Sequence, residues 1–213
     1  MSFYEFGKSE EYLLSLLHNG EPPGIEDVVK EAEKFGAPIV SQTGAQLLKL
    51  LTILIKPKRI LEIGTAIGYS GLIMLLNSSA TLYTIDFDER ALEKARKNFK
   101  KYGVADRVRI FSGDASDIVP MIEGEFDFIF LDGPKGRYYE YLPYLIKLMP
   151  KGGVLLCDNV LYSERMYGGR EVPKSKQTIA DRLAIFMRDV TSAPELVTSV
   201  LPVGDGMSLS VKK

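Results

Sequence analysis

Between Arg59 and Cys157 the chain alternates short apolar runs with helical patterns, and this alternation constrains the fold more than any other feature. The runs predict five strands: Arg59–Ile63, Thr81–Ile85, Val108–Phe111, Phe126–Leu131 and Gly153–Cys157. The patterns between and after them predict the helices Tyr69–Leu76, Asp88–Tyr102, Tyr138–Met149 and Gln177–Val190. Short, continuously apolar strands are typical of a parallel sheet that helices cover on both faces. The pattern therefore predicts a doubly wound α/β fold.

The two ends of the chain extend this core in different ways. The first 55 residues predict three helices, at Glu10–His18, Ile25–Phe35 and Gln42–Ile55. Near the other end, strands at about Leu196–Leu201 and Met207–Val211 flank a turn rich in glycine, which favours an antiparallel hairpin. The sequence contains no internal repeat and no linker. We therefore expect one domain over residues 1–213, with residues 1–55 as a helical extension or lid.

Composition excludes several classes of protein. The 213 residues include one Cys and one His, which excludes a disulfide framework and a multi-histidine zinc site. The 27 basic and 28 acidic residues give a net charge of −1, which argues against coating nucleic acid by charge alone but allows a local basic patch. The most apolar stretch, Leu47–Ile55, is far shorter than the roughly 20 residues that span a bilayer. We expect a reduced, cytoplasmic protein without a membrane segment.

In such a sheet, ligands bind at the carboxyl ends of the strands, where the strand order reverses. Here these ends carry glycine, acidic and amide residues. They are Glu62, Gly64, Gly68 and Ser70 after the first strand, Asp86 after the second, Asp114 and Ala115 after the third, Asp132 and Lys135 after the fourth, and Asp158 and Asn159 after the fifth. The glycines would let the backbone approach a ligand closely, and an acid after the second strand suits the hydroxyls of a ribose. The pattern indicates a nucleoside cofactor.

Two details distinguish between nucleoside cofactors. The spacing of Gly64, Gly68 and Gly71 departs from the G-x-G-x-x-G of dinucleotide loops, which disfavours an NAD-linked dehydrogenase. Several carboxylates at one sheet edge also disfavour a pyrophosphate and suit a cofactor that carries an ammonium and a sulfonium group. S-adenosylmethionine is such a cofactor. A non-catalytic nucleoside-binding module stays an alternative, as does a role for Glu62 limited to capping its turn.

Asp132, Asp158 and Asn159 form a second group of candidate ligands. Their carboxylate and amide oxygens suit a hard divalent cation such as Mg²⁺ or Mn²⁺. Asp and Asn are also ordinary residues at strand ends, so a role in closing a turn stays open for Asp158 and Asn159. Lys135 is a candidate base, since a cation beside it would lower the pKa of its ammonium group.

Taken together, the strand-end segments resemble the cation-dependent O-methyltransferases of the catechol and caffeoyl-CoA type. The segments are Ile60–Ser70, Tyr83–Asp86, Gly113–Ala115, Phe126–Lys135 and Gly152–Val160. The resemblance extends from roughly Pro38 to the C-terminus, and it implies a homodimer and a seven-stranded methyltransferase sheet with its last strand antiparallel. A narrower likeness, to the bacterial tRNA 5-hydroxyuridine methyltransferases, rests on Pro38–Val40, Ile60–Ser70, Asp158–Tyr162 and Leu201–Gly206.

The resemblance also implies a role for each candidate residue. The implied roles are metal ligation for Asp132, Asp158 and Asn159, proton acceptance for Lys135, contacts to the methionine end of the cofactor for Glu62, Gly64 and Ser70, ribose binding for Asp86, adenine contacts for Asp114 and Ala115, and a lid for Ile39 and Ser41. We also include Gly68 and Asp132 among the cofactor contacts. One departure is Gly133–Pro134, which replaces a bulkier or alanine-containing dipeptide and would shift Lys135.

The implied acceptor is a hydroxyl beside a second oxygen, which both a catechol and 5-hydroxyuridine offer. We expect wobble 5-hydroxyuridine in tRNA, converted to 5-methoxyuridine, with small catechol-like or caffeoyl-CoA-like acceptors as the alternative. The segment Tyr162–Lys176 favours tRNA, because it mixes aromatic residues with Arg165, Arg170, Lys174 and Lys176. Such a mixture suits a phosphate backbone and an unstacked base. A solvated lid without a polymer partner is the other interpretation.

Overall fold

The computed structural model describes Tyr12, Ser15 and Leu16, residues 25–161 and residues 174–213, without the side chains of residues 174–176. Its strands are β1 (Arg59–Ile63), β2 (Thr81–Asp86), β3 (Val108–Ser112), β4 (Phe128–Leu131), β5 (Val154–Cys157), β6 (Leu196–Leu201) and β7 (Met207–Lys212). They form one seven-stranded sheet in the order β3-β2-β1-β4-β5-β7-β6. Strands β1 to β5 pair in parallel, and β7 runs antiparallel to both β5 and β6. The predicted α/β sheet and its antiparallel last strand are confirmed.

Helices cover both faces of the sheet. They are α1 (Glu26–Phe35), α2 (Gln42–Ile55), α3 (Tyr69–Leu76), α4 (Glu89–Lys101), α5 (Ala115–Ile118), α6 (Tyr138–Leu148) and α7 (Lys174–Ser192), with single 3₁₀ turns at Ala105–Arg107, Val119–Met121 and Lys135–Arg137. Successive residues of a strand point to opposite faces, so β4 places Phe128 and Phe130 in one core and Ile129 and Leu131 in the other. Helices α1 to α4 pack on the first face, and α5, α6 and α7 pack on the second.

Two elements depart most from the sequence prediction: α7 extends over Lys174–Ser192 rather than Gln177–Val190, and β4 begins at Phe128 rather than Phe126. The backbone N–H of Phe126 bonds to the carbonyl of Leu148 at the end of α6, at 2.8 Å. The carboxylate of Asp127 accepts hydrogen bonds from the N–H groups of Lys58 and Arg59. These two residues therefore tie β4 to its neighbours before regular pairing starts.

Parts of two sequence predictions lie outside the described residues. Of the predicted helix Glu10–His18, only Tyr12, Ser15 and Leu16 are described, and all three are helical. The basic and aromatic side chains of Tyr162–Lys176 are not described, and its backbone is described only from residue 174. Among the helices that are described, none combines the length and the apolar character needed to cross a membrane.

The ends of β1 and β4 approach each other closely through Gly64. The N–H of Asp132 bonds to the carbonyl of Ile63, and the N–H of Gly64 bonds to the carbonyl of Ile85, each at 2.9 Å. Gly64 has a φ of +103°, and a Cβ at this position would lie 2.1 Å from the carbonyl oxygen of Asp132. The glycine thus fits both a left-handed backbone and a contact that leaves no room for a side chain.

We predict that Gly64→Ala lowers the free energy of unfolding by at least about 3 kcal/mol, because the methyl group must push β1 and β4 apart. Gly36→Ala is the matched control: its φ is +75°, but a Cβ there meets nothing within 4 Å. The control should lose only the cost of a left-handed alanine, about 1–2 kcal/mol. Urea unfolding followed by circular dichroism measures both, and equal losses would contradict the steric argument.

Candidate active site

A cavity of about 890 Å³ opens at the carboxyl ends of the parallel strands. It has the size of an ordinary cofactor or substrate site. The predicted site residues that border it are Ile39, Gly64, Ser70, Asp86, Asp114, Ala115, Asp132, Lys135, Asp158 and Asn159. Ser41, Glu62 and Gly68 are not on its wall. The sheet thus brings together residues from the ends of five strands, together with the segment between α1 and α2.

Asp86 and Asp114 are held by backbone N–H groups at one end of the cavity. The two carboxylate oxygens of Asp86 accept hydrogen bonds from Ala66 N–H at 2.8 Å and from Asp88 N–H at 3.0 Å. Asp114 begins α5 as its N-cap, and its carboxylate accepts the N–H of Ser116 at 2.8 Å. This bond holds the pKa of Asp114 below its usual value. Both carboxylates are fixed in position before any ligand binds.

Gly68 and Ser41 do not border the cavity, and each has a role at the start of a helix. Gly68 is the N-cap of α3 with a φ of +88°, and a Cβ there would lie 2.9 Å from the ring of Phe99. Ser41 caps α2 by accepting the N–H of Gly44 at 3.2 Å. The structure does not bring either residue to the cavity, whereas Ile39, two residues before Ser41, does border it. Local packing and capping explain why a glycine and a serine occupy these positions.

Glu62 is fully buried behind the cavity wall. Its two carboxylate oxygens accept hydrogen bonds from Ser70 Oγ and from Thr84 Oγ1, each at 2.6 Å. Burial raises the pKa of Glu62 to about 7, the two hydroxyl groups oppose this shift, and the charge of Asp86 adds to it. The partners shown for Glu62 are side chains from α3 and β2, so its role is not limited to capping the turn that follows β1. Ser70 connects Glu62 to the cavity.

Asp132 and Asp158 form a pair of neighbouring acids that the fold keeps largely from water. Burial, followed by the charge of Asp158, raises the pKa of Asp132 to about 8, and Lys135 opposes the shift. Burial likewise raises the pKa of Asp158 to about 6, against the hydrogen bond from the N–H of Asn159. A cation bound between two carboxylates that repel each other would stabilise the ionised form of both.

Asn159 completes this group, and Asp205 orients it. Asn159 has a left-handed backbone, with a φ of +57°, and its Nδ2 donates to a carboxylate oxygen of Asp205 at 3.4 Å. This contact turns the amide oxygen of Asn159 away from Asp205. Backbone bonds from Val160 to Gly206 and from Leu161 to Asp205, each 2.9 Å, hold the two loops together.

Sequence reasoning missed Asp205 as a member of the site. The available signal was its place in the glycine-flanked turn after β6, a turn that we used to predict a hairpin and to support the narrower likeness, but not to assign a site residue. The pairing of that turn with the loop after β5 depends on β7 inserting beside β5, and this contact cannot be derived from local sequence.

The donor set around Asp132 fits a hard divalent cation in its chemistry. Within residues 25–161 and 174–213, no three His, Cys, Asp or Glu side chains form a cluster that could hold a metal ion. The candidate set instead combines two carboxylates with the amide oxygen of Asn159, and both kinds of oxygen are ligands of hard cations. The residues present therefore fit Mg²⁺ or Mn²⁺ better than zinc.

Lys135 lies in the 3₁₀ turn after β4 and borders the cavity. Its positive charge lowers the pKa of both Asp132 and Asp158, which places the ammonium group within electrostatic reach of the pair. The dipeptide Gly133–Pro134 before it has a packing reason, because a Cβ at Gly133 would lie 2.9 Å from Ile63. The departure in this dipeptide thus leaves Lys135 at the cavity.

Comparison with known proteins agrees with this geometry. A model of the O-methyltransferase family matches residues 20–213. The catechol O-methyltransferase of Niastella koreensis is 29% identical over 216 residues, which cover 97% of this chain and 97% of that protein. The caffeoyl-CoA O-methyltransferase 1 of Eucalyptus globulus is 31% identical over 173 residues, which cover 77% of this chain and 70% of that protein.

Solved structures give the same result. A Podospora anserina methyltransferase bound to S-adenosylhomocysteine matches with a TM-score of 0.88 at 26% identity, over 100% of this chain and 97% of that chain. A Streptomyces achromogenes O-methyltransferase in complex with S-adenosylmethionine matches with a TM-score of 0.84 at 25% identity, over 100% of this chain and 99% of that chain. The chain therefore belongs to the O-methyltransferase family, whose catechol and caffeoyl-CoA enzymes are its relatives, and it is a methyltransferase enzyme.

Proposed function

We propose that this enzyme uses S-adenosylmethionine and a divalent cation to methylate one of two adjacent oxygens on a small catechol-like acceptor. The observation that carries the proposal is the placement of Asp132, Asp158 and Lys135 together on the wall of one cavity. The catechol and caffeoyl-CoA enzymes among the relatives support the choice of acceptor.

The cofactor is assigned to the part of the cavity between the ends of β1 and β3. Asp86 would accept the ribose hydroxyls, because its carboxylate is already fixed by two N–H groups. Asp114 and Ala115 would border the adenine. The loop from Gly64 to Ser70 would meet the methionine end, where nearby carboxylates favour a positively charged ligand. The two solved relatives that hold S-adenosylhomocysteine and S-adenosylmethionine support this assignment.

The cation is assigned to Asp132, Asp158 and Asn159. When bound, it would supply a positive charge that attracts two adjacent oxygens of the acceptor and lowers the pKa of the acceptor hydroxyl group. Asp205 would keep the amide of Asn159 in the orientation that presents its oxygen. Lys135 would accept the proton of the acceptor hydroxyl at its Nζ atom. The cavity walls would hold the acceptor oxygen in line with the methyl group. This orientation would contribute more to the rate than any single contact.

Transfer to wobble 5-hydroxyuridine in tRNA, which the sequence alone favours, stays a prediction. The side chains of Arg165, Arg170, Lys174 and Lys176, on which it depends, lie outside the described residues. A homodimer also stays a prediction, and the exposed apolar side chains of Leu50, Ile53 and Leu54 on α2 offer one surface for it. The small-molecule acceptor is therefore the main proposal, and the tRNA is a separate arm of its test.

We predict that catechol is methylated with a kcat/KM at least about 100-fold higher than resorcinol, which has the same atoms but no adjacent oxygens. Methyl transfer from labelled S-adenosylmethionine measures both, with Mg²⁺ present and after its removal by EDTA. The activity on catechol should disappear with EDTA and return with added Mg²⁺.

A parallel reaction with tRNA that carries 5-hydroxyuridine separates the two acceptor classes. Methylation of this tRNA without methylation of any catechol would contradict the small-molecule proposal and support the tRNA prediction. Equal rates on catechol and resorcinol would contradict the role of adjacent oxygens.

We predict that Asp158→Asn lowers kcat/KM by about 100-fold or more and raises the Mg²⁺ concentration needed for half-maximal activity. The substitution keeps the shape of the side chain and an acceptor for the N–H of Asn159, so S-adenosylhomocysteine should bind as before, as measured by calorimetry. Asp106→Asn is the control, because Asp106 is exposed in the turn before β3 and does not border the cavity. Normal activity of Asp158→Asn would remove this residue from the metal site.

We predict that Lys135→Met and Lys135→Arg both lower kcat by about 100-fold, because arginine keeps the positive charge but does not release its proton near pH 7. The rate of each variant should rise with pH towards the pKa of the acceptor hydroxyl, as measured by initial rates from pH 6 to 10. Retention of activity by Lys135→Arg alone would assign the lysine to charge stabilisation rather than to proton transfer.

A further inference from the structure

A chain of hydroxyl groups surrounds the buried carboxylate of Glu62, and the proposed function does not use the hydroxyl groups of Thr65 and Thr84. Thr84 lies opposite Glu62 in the parallel register of β1 and β2, and its Oγ1 donates to one carboxylate oxygen at 2.6 Å. Thr65 Oγ1 lies 2.5 Å from Thr84 Oγ1, and Ser70 Oγ donates to the other carboxylate oxygen at 2.6 Å. All four residues are buried, but Thr65 and Ser70, which are 1% and 7% exposed, border the cavity, whereas Glu62 and Thr84 lie behind it.

The number of protons in this chain determines what it presents to the cavity. Each hydroxyl group has a single proton to donate. When Glu62 is ionised, the hydroxyl group of Thr84 donates its one hydrogen bond to the carboxylate, so Thr65 must donate to Thr84. Ser70 likewise donates its one hydrogen bond to Glu62. The hydroxyl oxygens of Thr65 and Ser70 can then only accept a further hydrogen bond.

Protonation of Glu62 reverses this polarity. A neutral carboxyl group donates one hydrogen bond of its own, so either Ser70 or Thr84 must become an acceptor on that side. If Ser70 accepts from Glu62, the hydroxyl proton of Ser70 turns towards the cavity. If Thr84 accepts from Glu62, the hydroxyl proton of Thr84 turns to Thr65, and the hydroxyl group of Thr65 can then donate to the cavity. In either case a hydroxyl at the cavity changes from acceptor to donor. An ammonium group has three donors and no acceptor, so it fits the ionised form, in which both hydroxyl groups accept, better than the neutral form, in which one of them donates.

We propose that Thr65 and Thr84 are positioning residues which, together with Ser70, couple the ionisation of Glu62 to the binding of the cofactor's ammonium group, so that binding releases a proton. The inference rests on the proposed binding of S-adenosylmethionine and goes beyond it, because it assigns a function to two threonines and gives the binding step a pH dependence.

The charges around Glu62 agree with this coupling. Burial is the main cause of the raised pKa of Glu62, and the charge of Asp86, at the end of β2, adds to it. Together they keep a proton on Glu62 up to a pKa of about 7 in the protein without ligand. Asp132, at the end of β4, has a pKa of about 8 and is therefore uncharged where Glu62 titrates. An ammonium group beside Ser70 offsets the repulsion from Asp86 and lowers the pKa of Glu62.

The sign of the pH dependence follows from linkage. Below pH 7 the ligand must displace a proton from Glu62, so its affinity falls as the pH falls; above pH 7 there is no proton to displace and the affinity levels off. With a pKa of about 7, linkage gives an affinity about tenfold higher at pH 8 than at pH 6, and a release of about 0.9 proton per ligand at pH 6.

The test is calorimetry of S-adenosylhomocysteine binding to the full chain, with Mg²⁺ in excess, from pH 6 to pH 8. Titrations in buffers of different ionisation enthalpy count the protons that are released. The matched ligand is 5′-methylthioadenosine, which keeps the nucleoside and the sulfur but has no ammonium group. We expect the tenfold increase and the proton release with S-adenosylhomocysteine and neither with 5′-methylthioadenosine.

Variants locate the coupling within the hydroxyl chain. Glu62→Gln should remove the pH dependence, because the amide does not titrate. Thr84→Val should lower the affinity for S-adenosylhomocysteine at pH 7 by about tenfold, since the ionised Glu62 loses a donor, and Thr84→Ser should restore it. Thr65→Val should act in the same direction as Thr84→Val, and Thr65→Ser should behave as the unaltered protein does.

Two outcomes would overturn the inference, and the first of them needs no variant. Binding of S-adenosylhomocysteine by the unaltered protein without proton release would show that Glu62 is not coupled to the ligand. A pH dependence that persists in Glu62→Gln would assign it to another group. A complete failure of S-adenosylhomocysteine to bind would instead contradict the proposed function, so the two failures are distinguishable.

Discussion

The candidate site depends on one backbone contact, which lies just beyond the paired residues of β1 and β4. Asp132 bonds through its N–H to Ile63, and its carbonyl oxygen lies against Gly64. One contact therefore sets the loop assigned to the cofactor beside the first residue assigned to the cation. Because both residues directly follow central strands with both faces covered, the spacing between the two sites is fixed by the close-packed centre of the sheet.

The sheet also collects negative charge at this edge, and the acids fall into two groups. Asp114 is stabilised as an anion by the N–H of Ser116, which lowers its pKa. Glu62 and Asp158 are buried, Asp132 is half-buried, and all three have raised pKa values. The first kind of carboxylate suits neutral hydroxyl and amino groups. The second kind gains stability only when positive charge enters the cavity.

Much of this arrangement could be predicted from the sequence, because the periodicity of apolar residues reports local structure directly. Strands β1, β6 and helix α2 begin and end where their patterns predict. The start of β4 was predicted two residues early, since Phe126 is apolar and buried but pairs with the end of α6. Apolar patterning reports burial, and it does not say which backbone group a residue bonds to.

The candidate site was predictable where it depends on strand ends and unpredictable where it depends on contacts between distant loops. Asp132 and Asp158 border the cavity because their strands are neighbours in the sheet. Glu62 was expected at the cavity, but hydroxyl groups from α3 and β2 enclose it. Thr84 and Asp205 were not singled out at all, because their roles arise from the register of β1 with β2 and from the insertion of β7.

The burial of Glu62 has a consequence for how charge is used in this fold. A carboxylate at the cavity wall would attract any cation, including water-bound metal ions, with little selectivity. Behind Ser70 and Thr65, the same charge also reaches a ligand through hydroxyl groups that accept a hydrogen bond in one direction. The wall can therefore favour a directional donor such as an ammonium group over a spherical ion. This separation would keep the cofactor's charge at the end of β1 and leave the metal to the ends of β4 and β5.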